Sequence, residues 1–536
     1  MLKSSDKKQL RSQLFRHLDG IVIAPSALAL FKKGATDEIL QKEKISIQEL
    51  AEKFKANEGY LNVALRLLCS QGWLEQETTE DSDTIYYKTN PSSSKAFSLF
   101  NWYEDAVSVL QLSEDYHPRK FEVAPFRKLE SAYGHLKEMR ENLVKSGEAD
   151  EIKEQILLHI EGVLVGPTLV LLGMRNMFHK YFMETRFRAE EFHQDAESFD
   201  ALLGILADLN WFTVSNGNYQ FTDKGLFFAK RASAYGVTVS YIPTLRKIDE
   251  LIFGDANALR HHSSSETEIH VDREMNVWGS GGAHGSYFKA MDQVVIDMFN
   301  QPLDRQPKGI LDMGCGNGAF LVHLYSVIEN QTLRGKHLDD YPLFIIGADY
   351  NDAALKVSRQ NLIQADIWAK IIWGDIGKPD VLAADLKANY GIELEDLLNV
   401  RTFLDHNRIW ENPNLETNRV SNSLGAYAYQ GKRINNNLVE ESLFEHLTKW
   451  KPYVERFGLL IIELHTIDPK LTASNLGKTA ATAYDATHGY SDQYILEVDA
   501  FNKIAMEAGL HPDPNYFTTF PNTELATVSI NLLKGN

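Results

Sequence analysis

The sequence predicts an α/β protein: an open, Rossmann-like sheet of seven strands in the C-terminal half, preceded by a helical, duplicated winged-helix-like region. Three observations carry that prediction. A glycine-rich turn, "LDMGCGNGAF", follows an apolar run that begins at Ile310. Later apolar runs end in acidic or polar residues, as parallel strands do when a ligand sits beyond their carboxyl ends. Upstream, one helical pattern occurs twice at a constant offset of 142 residues (159 − 17).

The bulk properties narrow the function. At 536 residues the chain exceeds a single core, so roughly two to four domains are expected. Acidic residues number 73 against 55 basic ones, a formal net charge of −18. That surplus disfavours a nucleic-acid or anionic-membrane footprint, which needs a positive face. Cys69 and Cys315 are the only cysteines, which argues against a disulfide framework or a Cys-rich zinc site. The N-terminal stretch has no signal-peptide core. Charge-free runs such as "GIVIAPSALALF" look too short to cross a bilayer. A cytoplasmic chain with no membrane or nucleic-acid partner is expected.

The repeat comes first along the chain. "HLDGIVIAPSALAL" from His17 is echoed by "HIEGVLVGPTLVLL" from His159, matching His17 with His159, Asp19 with Glu161, Gly20 with Gly162 and Pro25 with Pro167. Downstream, Trp73 aligns with Trp211, and each copy runs into short alternating segments that read as a wing hairpin. "SIQELAEKFKANEGYLNVALRLL" has the Ser46 cap and apolar spacing of two short helices. The copies span 1–110 and 151–255, joined by a charged helical connector at 111–150; 256–276 is a polar linker and 277–536 the α/β domain. The segment that would read DNA carries one Arg in the first copy and no basic residue in the second. Such apolar helices pack rather than seek phosphates, which suits dimerisation or substrate covering.

The nucleotide half opens with Asp312, Gly314, Cys315, Gly316, Asn317 and Gly318. Glycines there allow a tight turn and close approach of a ligand to the backbone. The spacing D-x-G-x-G-x-G departs from the dinucleotide pattern G-x-G-x-x-G, because residue 319 is Ala. It resembles motif I of class I S-adenosylmethionine (SAM) methyltransferases. The resemblance implies SAM as cofactor along this loop and a second strand ending in Asp349 and Tyr350, with Asp349 on the ribose. It also implies a third strand ending in Asp375 and Ile376, with Asp375 on the adenine. "NVRTFLD", "GLLIIELH" and the pair "NYFTTF" and "LATVSINLLK" supply the later strands.

Reacting groups are expected just past strands four and five. Three segments compete: Asp405 and His406 after strand four, His465 ending strand five, and the following stretch with His488 and Gln493. A His near neutral pH suits a general base, and two or three His with a carboxamide can instead hold a divalent metal. Chemistry alone leaves both open. "RTFLDHNR", "IIELHT" and "ATHGYSDQY" resemble the metal-dependent C-methyltransferase domains near the loading end of some polyketide assembly lines. That resemblance implies a mononuclear iron or manganese held by His465, His488 and Gln493, with His406 as base or supporting partner. It implies a small or carrier-bound malonyl-type acyl acceptor.

Two further segments are candidates for the acceptor side. "WGSGGAHGSYFKAMDQ" holds His284 and Tyr287 and reads as a Gly/Ser-rich lid. "YAYQGKRINNN" offers Tyr429 and Arg433 as an acceptor wall, and Arg433 or Arg408 could pair with an acidic acceptor. The expectation is C-methylation of a small acyl or polyketide-type acceptor. The rivals are a small-molecule O-methyltransferase with a His base and a SAM-sensing DNA-binding regulator. Homodimerisation through the winged-helix region is also expected.

Overall fold

A computed structural model describes residues 2–79, 84–111, 123–147, 149–181, 185–259, 268–414 and 419–535, with side chains at 123–126, 181 and 282–284 outside that description. The N-terminal half is built on two long helices, α1 (Ser4–Lys33) and the later helix Glu151–Met174, which belong to the two sequence repeats. Between them lies α2 (Glu58–Ser70), and we label Glu151–Met174 α3. The second repeat continues through α4 (Ala196–Asp208) into the hairpin Phe212–Ser215 with Asn218–Phe221. Its turn places Asn216 and Gly217 both at positive φ, which matches the strand twist of a two-residue hairpin.

The repeats pack as a mirrored pair. A methyl group on Gly20 would lie 2.3 Å from the backbone of His159, and one on Gly162 would lie 2.4 Å from the backbone of His17. Only glycine permits that approach of α1 to α3. Each histidine then reaches the other module: His17 Nδ1 lies 2.8 Å from Tyr235 Oη, and His159 Nδ1 lies 2.9 Å from Tyr103 Oη. Burial pushes the His159 imidazole down to about 3, so it is neutral. Both helices are long and apolar enough to cross a membrane, which corrects the sequence-based estimate of their length. Their apolar windows are 83% and 94% buried inside the protein. The hydrophobicity therefore serves the module interface.

One pair of equivalent positions is not equivalent chemically. Glu161 is held below the usual carboxylate range: burial opposes ionisation, but His17 and Arg140 outweigh it. Asp19 has no such cation at hydrogen-bond distance; it is 2% exposed, and its Oδ1 has no partner. Burial pushes Asp19 up to about 7.

The C-terminal half is one mixed sheet. Its strands are β1 (Gly309–Met313), β2 (Phe344–Asp349), β3 (Ala369–Trp373), β4 (Leu397–Thr402) and β5 (Leu459–Leu464), followed by β6 (Leu510–Pro512), β7 (Thr518–Phe520) and β8 (Val528–Gly535). The order is β6-β8-β5-β4-β1-β2-β3, with β7 also paired to β8. The first five strands are parallel, and β8 inserts antiparallel beside β5. The strands number eight rather than the expected seven, because Leu510–Pro512 pairs with the distal end of β8 beyond the stretch used by Thr518–Phe520. The order reverses between β1 and β4, and the crevice beyond their carboxyl ends is where such sheets take ligands.

The Gly/Ser-rich segment expected as a lid is instead part of a continuous helix, α5 (Arg273–Phe299), which starts inside the stretch expected as linker. Its glycines serve packing. A methyl group on Gly279 would meet the Gly236 backbone at 2.6 Å, and the reverse holds at 2.5 Å. The first winged-helix module is seated on the sheet domain through α2, whose residues Gly59 to Ser70 are all buried. Gly59 N donates to Gly431 O at 2.8 Å, and Arg433 pairs with Glu58 at 2.8 Å.

Asp19 gives a prediction with a defined sign. Between pH about 4 and about 7 the folded chain holds a proton on Asp19 that the unfolded chain has lost, so stability falls as pH rises through that window. Asp19→Asn removes the penalty. Chemical denaturation is expected to show the variant more stable than wild type by roughly 4 kcal/mol at pH 8, with the difference vanishing near pH 4. An equal difference at both pH values would contradict a buried neutral Asp19.

Candidate functional site

Strand β1 ends at Met313, and the turn that follows places Gly314, Gly316 and Gly318 at φ +78°, +53° and +77°. That left-handed path is one only glycine adopts freely. The turn is tied to β2: Gly314 N and Cys315 N both donate to Ala348 O, at 2.7 and 3.1 Å. Gly316 N donates to Asp349 Oδ2 at 3.0 Å, and Asn351 N donates to Asp349 Oδ1 at 2.9 Å. Asn361 Nδ2 holds the Asn317 carbonyl at 2.9 Å. Beside them, the rings of Tyr350 and Trp373 lie 5.5 Å apart. Asp375 accepts from Gly377 N at 2.9 Å and sits 3.4 Å from Lys378 Nζ, while the Ile376 carbonyl accepts from Trp450 Nε1 at 2.7 Å.

Asp312 is the anomaly of this region. It is 1% exposed, and neither carboxylate oxygen has a hydrogen-bond partner. Burial, reinforced by the nearby Asp349 charge, raises it well above the ordinary range. Buried polar groups are normally paired, so an orphan acid under a glycine turn fits a site whose cationic partner is a ligand.

At the other side of the crevice, β4 ends in a strained corner. Phe403 adopts φ +55°, rare for a bulky residue, and its N–H donates to Ile462 O at 2.7 Å. The turn Asp405–Asn407 then sends its first two side chains in different directions. Asp405 turns into the core, against Arg401 and 2.9 Å from His446 Nε2. Burial opposes its charge, but Arg401 and His446 hold it below the ordinary range. The expected catalytic role of Asp405 is thereby corrected to a structural one. Arg408 is also buried and committed, donating to Asp405 O at 2.9 Å and Val439 O at 3.2 Å.

His406 faces the end of β5. Its Nδ1 pairs closely with Glu463 Oε1, and its backbone N–H donates to Glu463 Oε2 at 3.2 Å. Because a carboxylate only accepts, Nδ1 carries a proton, and in the neutral ring the lone pair lies on Nε2. The ring of His488 stands 5.1 Å away, nearly perpendicular. His488 Nδ1 donates to Tyr484 O at 2.8 Å, so its Nε2 also keeps a lone pair. Burial, with His406 adding to it, pushes His488 down to about 3, and the ring is neutral. Gln493 Nε2 donates to Tyr241 Oη at 3.2 Å, which leaves its Oε1 as an acceptor.

His465 does not join this group. Its Nδ1 donates to Leu496 O at 3.0 Å, and its Nε2 accepts from Ser529 Oγ at 2.7 Å. Both nitrogens of His465 are engaged within the protein and its ring lies against Phe501, so the structure sets it apart from His406 and His488 instead of grouping it with them as expected. Among the described residues, no group of three or more His, Cys, Asp or Glu is arranged around a metal. His406 and His488 stand ring to ring, and the Gln493 amide reaches the hydroxyl of Tyr241, whose ring lies 6.3 Å from that of His488.

The remaining candidates divide. The Tyr287 ring packs 5.9 Å from Phe403 and 5.2 Å from Phe520, at the mouth of the crevice. The His284 side chain lies outside the described residues. Tyr429 and Arg433 form part of a small hairpin, Ala428–Tyr429 with Lys432–Arg433, that docks on the first module. Arg433 is thus an inter-module tie rather than a grip on an acidic acceptor. Sequence reasoning missed Glu463 as the partner of His406, although both sit at adjacent strand ends. Tyr241 was missed as well, because it comes from the second module, far away in sequence.

The Asp405 cluster is testable by stability. Asp405→Ala leaves Arg401 buried without its carboxylate, and removing one partner of a buried pair costs about 3–5 kcal/mol. Urea denaturation should show that loss, whereas Asp405→Ala with unchanged stability would return the residue to the reacting site.

Residues 268–531 match the family described as AprA MT2-like domain, residues 161–255 the AprA winged helix domain, and residues 10–76 the AprA N-terminal domain. No curated protein matches. Among solved structures, the mitomycin 7-O-methyltransferase MmcR is 12% identical, with 72% of this chain and 98% of that chain covered and a TM-score of 0.40. The CMeT domain of the citrinin polyketide synthase is 12% identical, covering 69% and 88%, at 0.35. The CurJ carbon methyltransferase is 12% identical, covering 69% and 92%, at 0.31. With a matching transferase domain, an α/β sheet and a winged-helix region ahead of it, the chain is a class I SAM-dependent methyltransferase.

Proposed function

We propose that the enzyme methylates carbon on a small acyl or polyketide-type acceptor, with His406 as general base. The observation that carries this is the His406–Glu463 pair at the reacting end of the sheet. Glu463 fixes the tautomer that leaves Nε2 free to take a proton. In the proposed step Nε2 removes the α-proton of the acyl group. The resulting carbanion attacks the SAM methyl carbon, the C–S bond breaks, and the electron pair leaves on sulfur as the neutral thioether. Glu463 stabilises the imidazolium that forms, and neutral His488 adds no opposing charge.

For SAM we assign the turn Gly314 to Gly318 to the methionine end, Asp349 to the ribose hydroxyls, and Asp375 with Ile376 to the adenine. Asp312 supplies the buried acceptor for the SAM ammonium, which its two unpartnered oxygens support. Tyr350 and Tyr287 flank the cofactor and the acceptor mouth.

A second reading has its own observation. His406 and His488 are engaged through Nδ1 and Gln493 through Nε2, which directs the acceptors His406 Nε2, His488 Nε2 and Gln493 Oε1 to other partners, and a cation suits such a set. A mononuclear iron or manganese would be held by these three and would supply Lewis-acid polarisation of the acceptor carbonyl. The burial of α2 against the sheet domain supports packing rather than DNA reading by the winged helices. The paired modules support a further proposal, that any homodimer forms outside the α1–α3 contact.

Tritiated SAM and a malonyl N-acetylcysteamine thioester test the reading. His406→Gln is expected to lower kcat by about a hundredfold or more, while His465→Gln retains most activity if it folds. Equal losses in both would sink the assignment of the base. Full activity after dialysis against chelator removes the metal reading and leaves the base. Asp349→Ala is expected to weaken SAM binding about a hundredfold or more in calorimetry, from two lost charge-assisted hydrogen bonds.

A further inference from the structure

We propose that Arg66 is a positioning residue for methyl transfer, through which the first winged-helix module holds the His488 helix at the acceptor site. This rests on the reading that His488 borders the acceptor. Arg66 lies in α2, the helix that would read DNA in a nucleic-acid-binding winged helix, and it is 1% exposed.

Its guanidinium is fully occupied by the other domain. Nε donates to Asp485 Oδ2 at 3.2 Å, and Nη2 donates to Thr466 Oγ1 and to Ile467 O, both at 2.8 Å. Nη1 donates to Leu424 O. Thr466 closes the knot by donating to Asp485 Oδ1 at 2.6 Å. One side chain thus joins the exit of β5, the loop at Leu424 and α6 (Ala481–Gly489). Asp485 stands one turn ahead of His488 on that helix. A planar fork with five donors meets acceptors from three directions, which a lysine cannot do.

The same module grips the rest of the segment. Ser70 Oγ lies 2.9 Å from Thr482 Oγ1, Tyr60 Oη donates to Asp492 Oδ1 at 2.9 Å, and Ser26 Oγ lies 2.9 Å from Tyr490 Oη. A methyl group on Gly489 would meet Val63 at 2.8 Å, so α6 lies directly on α2. Residues 481–494, which bring His488 and Gln493 to His406, are therefore placed largely by the N-terminal half. The geometry needed for the reacting groups is strict, since a misplacement of about 1 Å can cost about a hundredfold in rate.

The test uses full-length Arg66→Lys, with Thr466→Val as the second variant should the first fail to fold. Hydrogen–deuterium exchange of 481–494, SAM calorimetry and methyl transfer to the malonyl thioester are read together. Expected are a folded protein, SAM affinity within about twofold of wild type, and exchange faster by about tenfold or more in 481–494 alone. kcat should fall about tenfold or more with KM for SAM unchanged. Unchanged protection of that segment, or faster exchange spread over the whole N-terminal half, would overturn the proposal. If wild type leaves the thioester unmethylated, the functional reading fails, while the exchange data still decide the role of Arg66.

Discussion

The close crossing of α1 and α3 at Gly20 and Gly162 is the constraint on which the rest of the structure depends. Two helices meet backbone to backbone, and each locks a histidine to a tyrosine of the opposite module. The apolar windows of both helices are thereby buried, to 83% and 94%. The crossing also fixes α2 from one module and Tyr241 from the other on the same side, where both touch the segment that carries His488 and Gln493. The reacting end of the sheet is thus bounded by elements that originate far from it in sequence.

Burial then sets the chemistry. Around the crevice the imidazoles of His446, His465 and His488 are pushed down to about 4, 4 and 3 by desolvation, so the site holds neutral rings at physiological pH. A neutral His488 beside His406 places no second positive charge next to that ring. Three buried carboxylates have partners: Asp405 meets Arg401, Asp485 meets Arg66, and Glu463 accepts from the His406 ring. Breaking any of these leaves a partner unpaired in a low-dielectric interior, which is why they have to be separated experimentally into structural and reacting groups.

Legibility in the sequence followed physical locality. The glycine turn was readable because positive φ at Gly314, Gly316 and Gly318 is a local demand that residue type answers. The repeat was readable because its small and apolar positions recur in register. His465 was misjudged because period and strand order place a residue at a strand end without saying which neighbour its ring meets. Ser529, on a strand more than sixty residues later, decided that (529 − 465 = 64). The segment around Gly279 was misread as a lid, since glycine for close helix packing and glycine for flexibility look alike until Gly236 is placed against it. Arg66 entered the sequence reading only as the one basic residue of its helix, because its acceptors lie some 360 to 420 residues away in sequence.

The most direct measurement of the central claim is the position of the transferred methyl group. Full-length enzyme would be given SAM with an isotopically labelled methyl and a malonyl thioester, and the product would be read by NMR. The account predicts the label on the α-carbon, coupled to its remaining proton and absent with His406→Gln. A label on oxygen, or equal labelling without His406, would contradict it.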